Sequence, residues 1–383
     1  MLSIVAGLLD WLTLPLAFLV VLTIVVFVHE LGHFLVARWC GVKVKTFSIG
    51  FGPELWGFTD RHGTRWMVAP IPLGGYVKFM DDENATSQPS REALDQMSPE
   101  ERDGSFHAKP VWQRAAVVAA GPLINFLLAI VIFGFWFWTF GIHSSHAKVD
   151  DVVAGSPAAA AGFKAGDVIR EINGRKIASF EDVQMIVATA VGRELDVQVE
   201  RGGGLTTLKV VPKKGEQKDE AGKAQCWVGI GIKRVPSPET TTSLNPSLPH
   251  AMWLGAERVG TVISGTLGFL GEMVVGRQCV DQLGGPARIA DIAGKVARKS
   301  WLDLIFLTGF ISVSIGLINL FPIPMLDGGH LMFYAFEALR GRPLSERTID
   351  FGFRVGMAIV LSLMIFAFYN DSPIIRGWFT GGR

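Results

Sequence analysis

The chain has 383 residues, of which 49% are hydrophobic and only 19% charged, a balance that argues against an ordinary soluble globule. A net charge of +1 leaves no electrostatic footprint for nucleic acid, and no nucleic-acid partner is expected. Cys40, Cys226 and Cys279 are odd in number and far apart, so neither a disulfide framework nor a cysteine metal site is expected, only a free or buried thiol at each.

In chain order, four stretches come close to the roughly 20 apolar residues that a helix needs to cross a bilayer. The first runs without charge from Trp11 to Val28 and on through His29 and Glu30 to about Ala37, so residues 1–37 form span one. No Lys or Arg precedes Arg38, so this stretch lacks the basic start of a signal peptide and is expected to be retained. Residues 38–114 form a loop with strand-like segments at 42–48 and 65–69. Gly74-Gly75 then precede Tyr76–Met80, and an acidic stretch at 81–104 is expected to be mobile. Residues 115–142 are the second span. Residues 146–235 turn globular. There Ser156-Pro157 should open a short helix closed by Gly162, and Asn173-Gly174 should turn a hairpin. Ser179 with Asp182 should cap a second helix, and 195–200 with 205–211 should pair across Gly202–Gly204. Residues 236–300 read as a Pro-rich linker and an interfacial helix from about Ala251. The third span is 301–327, a connection covers 328–354, and the fourth span is 355–371, with Arg354 able to snorkel at its end.

Basic residues flank two connections: Arg38, Lys43, Lys45, Lys109 and Arg114 on the first, Arg340, Arg342 and Arg347 on the second. The excess of Lys and Arg marks both as cytoplasmic. The insert and both termini then face the other side, the periplasm if the membrane is a bacterial inner membrane.

Span one ends His29-Glu30-Leu31-Gly32-His33. Residues four apart share a helix face, so both imidazoles can reach one ion, and Glu30 beside them can take a proton from an attacking water. Two His and a Glu within an apolar helix are costly unless they are paired or liganded. A hydrolytic zinc site needs a third protein ligand. Asp327 reaches the same depth at the end of span three, after the helix-breaking Pro322 and Pro324 and before Gly328-Gly329. His330 is a rival ligand, with a supporting or interfacial role the alternative.

At these residues the chain resembles the site-2 protease family of intramembrane zinc metalloproteases, of the regulator of sigma-E protease type. The resemblance is carried by His29–His33, by Asn319-Leu320-Phe321-Pro322 running into Leu326–His330, and by Ala120-Gly121-Pro122-Leu123-Ile124-Asn125-Phe126. It implies Zn2+ held by His29, His33 and Asp327, with Glu30 as general base, and cleavage of single-span membrane proteins in or near their membrane helices. Anti-sigma factors and remnant signal peptides are the substrates it suggests. It also implies a polar role for Asn319 near the substrate, although a hydrogen bond within the helix bundle explains that residue equally well. The insert looks like one PDZ domain, which could take a peptide ligand, where the best-known members of this type carry two. The expected fold is therefore a multi-pass α-helical membrane protein with an inserted α/β PDZ domain. The alternative function is a catalytically silent membrane scaffold, against which an intact Glu30 speaks.

The segment 65–80 reads as a membrane-associated β-hairpin with Gly74-Gly75 near its reversal. Pro70 and Pro72 remove donors, leaving an incompletely paired edge. Related proteases have a reentrant hairpin here. Gly74, Gly75 and Tyr76 are accordingly expected to receive extended substrate as an added strand; a hairpin that only covers the site is the alternative.

Overall fold

The computed structural model describes residues 2–81, 98–145, 147–177, 179–218, 224–233, 241–279 and 283–380. The chain divides into two compact units, Met1–Phe133 with Gly284–Arg383, and Gly134–Leu283.

The first unit opens with helix α1 (Leu2–Trp39), which ends at Gly41 with φ +72°. The Gly41 and Val42 N–H groups there return to the Arg38 and Ala37 carbonyls, a glycine-closed helix end. Strands β1 (Val44–Phe51), β2 (Trp56–Thr59), β3 (Arg65–Val68) and β4 (Ile71–Phe79) follow, in sheet order β2-β3-β1-β4. Phe47 on β1 stacks on Trp66 of β3 at 4.4 Å, and Phe34 of α1 meets both rings edge-on. This aromatic cluster seats the sheet on the end of α1.

The sheet differs from a 65–80 hairpin. β3 and β4 do not pair with each other; β1 lies between them, parallel to β3 and antiparallel to β4. Gly74 and Gly75 sit inside β4 rather than at a reversal, with Gly75 opposite Ile49. They are glycines for lack of room. A Cβ on Gly74 would lie 2.4 Å from the Phe51 ring, and one on Gly75 2.8 Å from the Ser48 carbonyl and 3.0 Å from Glu30 Cγ.

Asp81, expected in a mobile stretch, is instead buried. Its carboxylate accepts from the Ser105 hydroxyl at 2.5 Å and from the Phe106 and His107 N–H groups at 3.2 and 2.9 Å. That fastens the end of β4 to the turn between α2 (Pro99–Gly104) and α3 (Val111–Phe140). Residues 82–97 of the expected mobile stretch lie outside the described residues.

The second unit holds β5 (Ile142–Ser145), β6 (Asp151–Val152), α4 (Pro157–Ala161), β7 (Val168–Ile172), β8 (Arg175–Lys176) and α5 (Phe180–Thr189). It continues with β9 (Leu195–Arg201), β10 (Gly204–Val210), β11 (Lys213–Lys218), β12 (Ala224–Gly229), β13 (Ile232–Lys233), β14 (Thr241–Leu244) and α6 (Leu248–Val274). Local chemistry sets its pieces. Ser156 caps α4 by accepting from Ala159 N–H, and Gly162 closes it at φ +86°. Ser179 and Asp182 form a reciprocal capping box on α5. Asn173 and Gly174, at φ 51° and 80°, turn β7 into β8. The central sheet runs β10-β9-β7-β8 over a core of Val149, Ile169, Ile172, Val183, Leu195 and Val197.

Asp167 is fully buried and held by a bidentate Arg201 guanidinium at 2.7 and 2.8 Å, with a third bond from Lys164 N–H. Helix α6 packs on α5, where Gly265 admits the Met185 sulfur, and it ends at buried Glu272, which pairs with Arg193 and Arg277. Cys279 is disulfide-bonded, which corrects the expectation of a thiol at every cysteine; Cys40 is free.

Back in the first unit, α7 (Pro286–Lys299) is a helix within the segment 236–300, beyond the expected linker and interfacial helix. Its buried Ala287, Ala290, Ala293 and Ala297 form a small-residue face. Ala293 and Ala297 share one cluster with Ala17 and Val21 of α1 and with Leu304. Buried Asp371 caps α7 across space, accepting from Gly285 and Arg288 N–H at 3.0 and 3.1 Å. Then come α8 (Trp301–Asn319), α9 (Asp327–Arg340) and α10 (Glu346–Thr380).

Among the described residues, four helices are long and apolar enough to cross a membrane: Pro15–Trp39 within α1, α3, α8, and Arg347–Trp378 within α10. The molecule is thus a multi-pass helical membrane protein carrying small β-sheets.

Candidate metal centre

His29 and His33 lie on one face of α1, one turn apart, with their Nε2 atoms 3.2 Å from each other. Asp327 arrives from a different element. Helix α8 stops at Asn319, residues 320–326 run irregularly past Pro322 and Pro324, and α9 starts at Asp327 itself. The turn is tight: a Cβ on Gly328 would lie 2.3 Å from the Leu320 and Phe321 carbonyls, and one on Gly329 2.5 Å from the Ile323 carbonyl. Close packing of α9 onto this turn therefore explains the two glycines. Arg114 of α3 fixes α9 from its other end, pairing with Glu337 at 2.7 and 3.2 Å and lying over the Tyr334 ring.

The Asp327 Oδ2 atom lies 3.1 Å from His29 Nε2 and 3.5 Å from His33 Nε2, buried and without a hydrogen-bond partner. Three donor atoms therefore form a triangle with edges of 3.1, 3.2 and 3.5 Å. Zinc bonds of about 2.0–2.1 Å at tetrahedral angles set ligand atoms about 3.3–3.4 Å apart, so the triangle fits that ion. Among the described residues it is the one cluster of three His, Cys, Asp or Glu side chains whose donors converge this way. His330, the rival ligand, is not in it; its ring packs against Phe353 and Tyr334.

Surrounding residues hold the imidazoles in place. His33 Nδ1 donates to the Val117 carbonyl at 2.9 Å, and His29 Nδ1 lies 3.2 Å from the buried amide of Asn125. Gly121 lets α3 approach so closely that a Cβ there would lie 2.3 Å from His33 Nε2 and 2.9 Å from His29 Cε1. Gly32 does the same for the opposite helix, 2.6 Å from the Ala120 carbonyl. Gly121 and Asn125 lie in the Ala120–Phe126 motif, but their work depends on a contact between helices that spacing alone does not show.

Glu30 lies against the centre and accepts from the Val77 N–H of β4, within electrostatic reach of His29, His33 and Asp327. Asn319 Nδ2 is 3.5 Å from His29 Nε2, at the rim of the triangle. Gly75 touches Glu30, whereas the Tyr76 ring turns away to stack on Phe51 at 6.3 Å. Of the sequence-derived residues, His29, Glu30, His33, Asp327, Asn319 and Gly75 thus come together. Gly74 faces the Phe51 ring and Tyr76 contributes only backbone at this side.

The model of peptidase family M50 matches residues 17–363. A protein of Agrobacterium fabrum that carries a zinc metalloprotease name is 46% identical over 360 residues, covering 94% of this chain and 96% of that relative. Metalloprotease MmpA of Caulobacter vibrioides is 42% identical, covering 94% and 96%. The regulator of sigma-E protease RseP of Salmonella typhimurium is 31% identical, covering 93% and 97%. That last alignment takes 452 positions against 383 residues here, so RseP carries segments with no counterpart in this chain.

Proposed function

Since this chain belongs to peptidase family M50, and is on that ground an intramembrane zinc metalloprotease, we propose that His29, His33 and Asp327 hold the zinc and that Glu30 is the general base. The observation that carries this reading is the buried triangle of Nε2, Nε2 and Oδ2 atoms with Glu30 beside it. Bound there, zinc would supply Lewis acidity, making water nucleophilic near neutral pH and polarising a carbonyl.

The chain's own residues do the rest. Glu30 takes a proton from the attacking water and delivers it to the leaving amide nitrogen. Asn319, at the rim, donates its amide N–H to the scissile carbonyl oxygen. β4 holds the substrate extended, because an amide inside a helix is shielded by its own hydrogen bonds. Support comes from β4 pairing with β1 alone among the described strands, and from its Val77 N–H pointing at Glu30. In this role Gly74, Gly75 and Tyr76 act through backbone groups, close to the base because Gly75 has no side chain.

The substrates we infer are single-span membrane proteins cut within or beside the bilayer. The same reading places the enzyme in a bacterial inner membrane with its two basic connections in the cytoplasm, and residues 143–300 and both termini in the periplasm. The disulfide at Cys279 supports that side, since such bonds persist in oxidising compartments. Residues 146–235 are read as a single PDZ-like domain that takes a peptide by strand addition. Comparing membrane fragments in cells carrying wild type or Glu30→Gln tests the whole reading. Truncated single-span proteins should accumulate with Glu30→Gln; identical fragment populations would contradict it.

A further inference from the structure

A histidine can offer Nε2 to a metal only if its proton sits on Nδ1, so whatever faces Nδ1 decides whether the ring is a ligand. For His33 the answer is fixed. Its Nδ1 lies 2.9 Å from the Val117 carbonyl, a group that can only accept, so Nδ1 carries the proton and the Nε2 lone pair points into the triangle.

For His29 the neighbour is ambiguous by chemistry. The Asn125 amide faces Nδ1 at 3.2 Å, and an amide presents a donor nitrogen or an acceptor oxygen in nearly the same shape. With Nδ2 toward the ring, Nδ1 must be the lone pair, and the His29 proton moves to Nε2. It would then point at His33 Nε2 and Asp327 Oδ2, 3.2 and 3.1 Å away, and block ligation. Turning the amide by half a revolution lets Oδ1 accept from Nδ1–H and frees Nε2.

Asn125 is built into place rather than incidentally near. It is fully buried, and its main-chain carbonyl accepts from the Ser312 hydroxyl of α8 at 2.8 Å. Gly316, on the same face of α8, admits it so closely that an added Cβ would lie 3.2 Å from Asn125 Cβ. We propose that Asn125 is a positioning residue whose amide oxygen holds the proton of His29 on Nδ1, and so presents the Nε2 lone pair to the zinc. This rests on the reading of His29 as a ligand.

The test measures zinc affinity of the full-length, detergent-solubilised protein by competition with a chelator. Asn125→Asp keeps an acceptor and nothing else, whereas Asn125→Leu keeps the volume and removes the acceptor. Asn125→Leu should bind zinc about 10- to 100-fold more weakly, the usual cost of losing such a partner, and Asn125→Asp should stay within a few-fold of wild type. Wild-type affinity in Asn125→Leu overturns the proposal, as does loss of zinc in Asn125→Asp. Should the leucine variant fail to insert, Asn125→Ala, which also removes the acceptor, takes its place with the same expected loss. His29→Ala separates the two readings. If it keeps zinc, the ligand assignment itself falls; if it loses zinc while both Asn125 variants keep it, only this inference falls.

Discussion

Replacing Gly121 by alanine puts a methyl group where the two imidazoles already are. The added Cβ would lie 2.3 Å from His33 Nε2 and 2.9 Å from His29 Cε1, when ordinary contact begins near 3.4 Å. Neither ring can yield freely. His33 is tied through Nδ1 to Val117 on the same helix as Gly121, and His29 is pinned by Asn125 one turn further along. The methyl therefore pushes α3 away or rotates a ligand out of the triangle. Overpacking of a rigid site costs about 1–3 kcal/mol. Charged to the zinc complex, that is about a 5- to 150-fold loss of affinity, at 1.4 kcal/mol per factor of ten. Zinc content after dialysis and cleavage of a membrane-embedded substrate are the two readouts, and both should fall together. Gly260→Ala is the control, since nothing lies within 4 Å of a Cβ there and the position is an ordinary helix interior. If Gly121→Ala keeps full zinc and full activity, the close approach of α3 is not what shapes the centre.

Further outcomes follow from other parts of the molecule. Burial alone would raise the Asp167 carboxyl, but Arg201 and the Lys164 N–H outweigh it and hold the group below its ordinary value. A carboxyl depressed in the folded state stabilises above its unfolded value of about 4, and that stability drains away as pH falls through the lower folded value. Arg201→Gln should therefore cost the second unit stability at neutral pH, toward the lower end of the roughly 3–5 kcal/mol for a broken buried pair, because Arg201 is partly exposed. Hydrogen exchange of β7 and β9 amides in the full-length protein should show the gap, and the gap should shrink below about pH 4; a gap independent of pH would refute the assignment. Val77→Pro removes the N–H that Glu30 accepts and blunts the open edge of β4, so it should slow cleavage of stable helical substrates more than of substrates loosened by Gly or Pro. Equal slowing of both with zinc intact would mean that β4 does not bind substrate as a strand. Reporter fusions after Lys45 and Arg342 should read cytoplasmic and one near Gly203 periplasmic, and the opposite reading at Gly203 would invert the topology.

What could be read from the sequence was whatever local spacing encodes. His29 and His33 share a face because they are four apart, and Asp327 stood out because prolines and glycines around it had to break a helix at membrane depth. The capping of α4 and α5 and the Asn173-Gly174 turn are equally local, and the structure has them as expected. Contacts between elements were not legible. Gly74-Gly75 looked like a reversal because glycine marks both turns and crowded strands, and only the placement of Phe51 and Glu30 distinguishes the two. α7 is legible in principle, since Ile289, Ile292 and Val296 recur at helical spacing beside its alanines; only the α1 surface that its alanine face packs on is not. Asn125 and Gly121 carry their roles only once α3 lies against α1. The disulfide at Cys279 was missed because three scattered cysteines carry no pairing information.

The most direct test of the central claim is zinc stoichiometry and proteolysis measured together on purified wild type, Glu30→Gln and Asp327→Ala. The account predicts one zinc per chain in wild type and in Glu30→Gln, with cleavage lost in the latter. It predicts that zinc and cleavage are both lost in Asp327→Ala. Retained cleavage in Glu30→Gln, or undiminished zinc in Asp327→Ala, would contradict it.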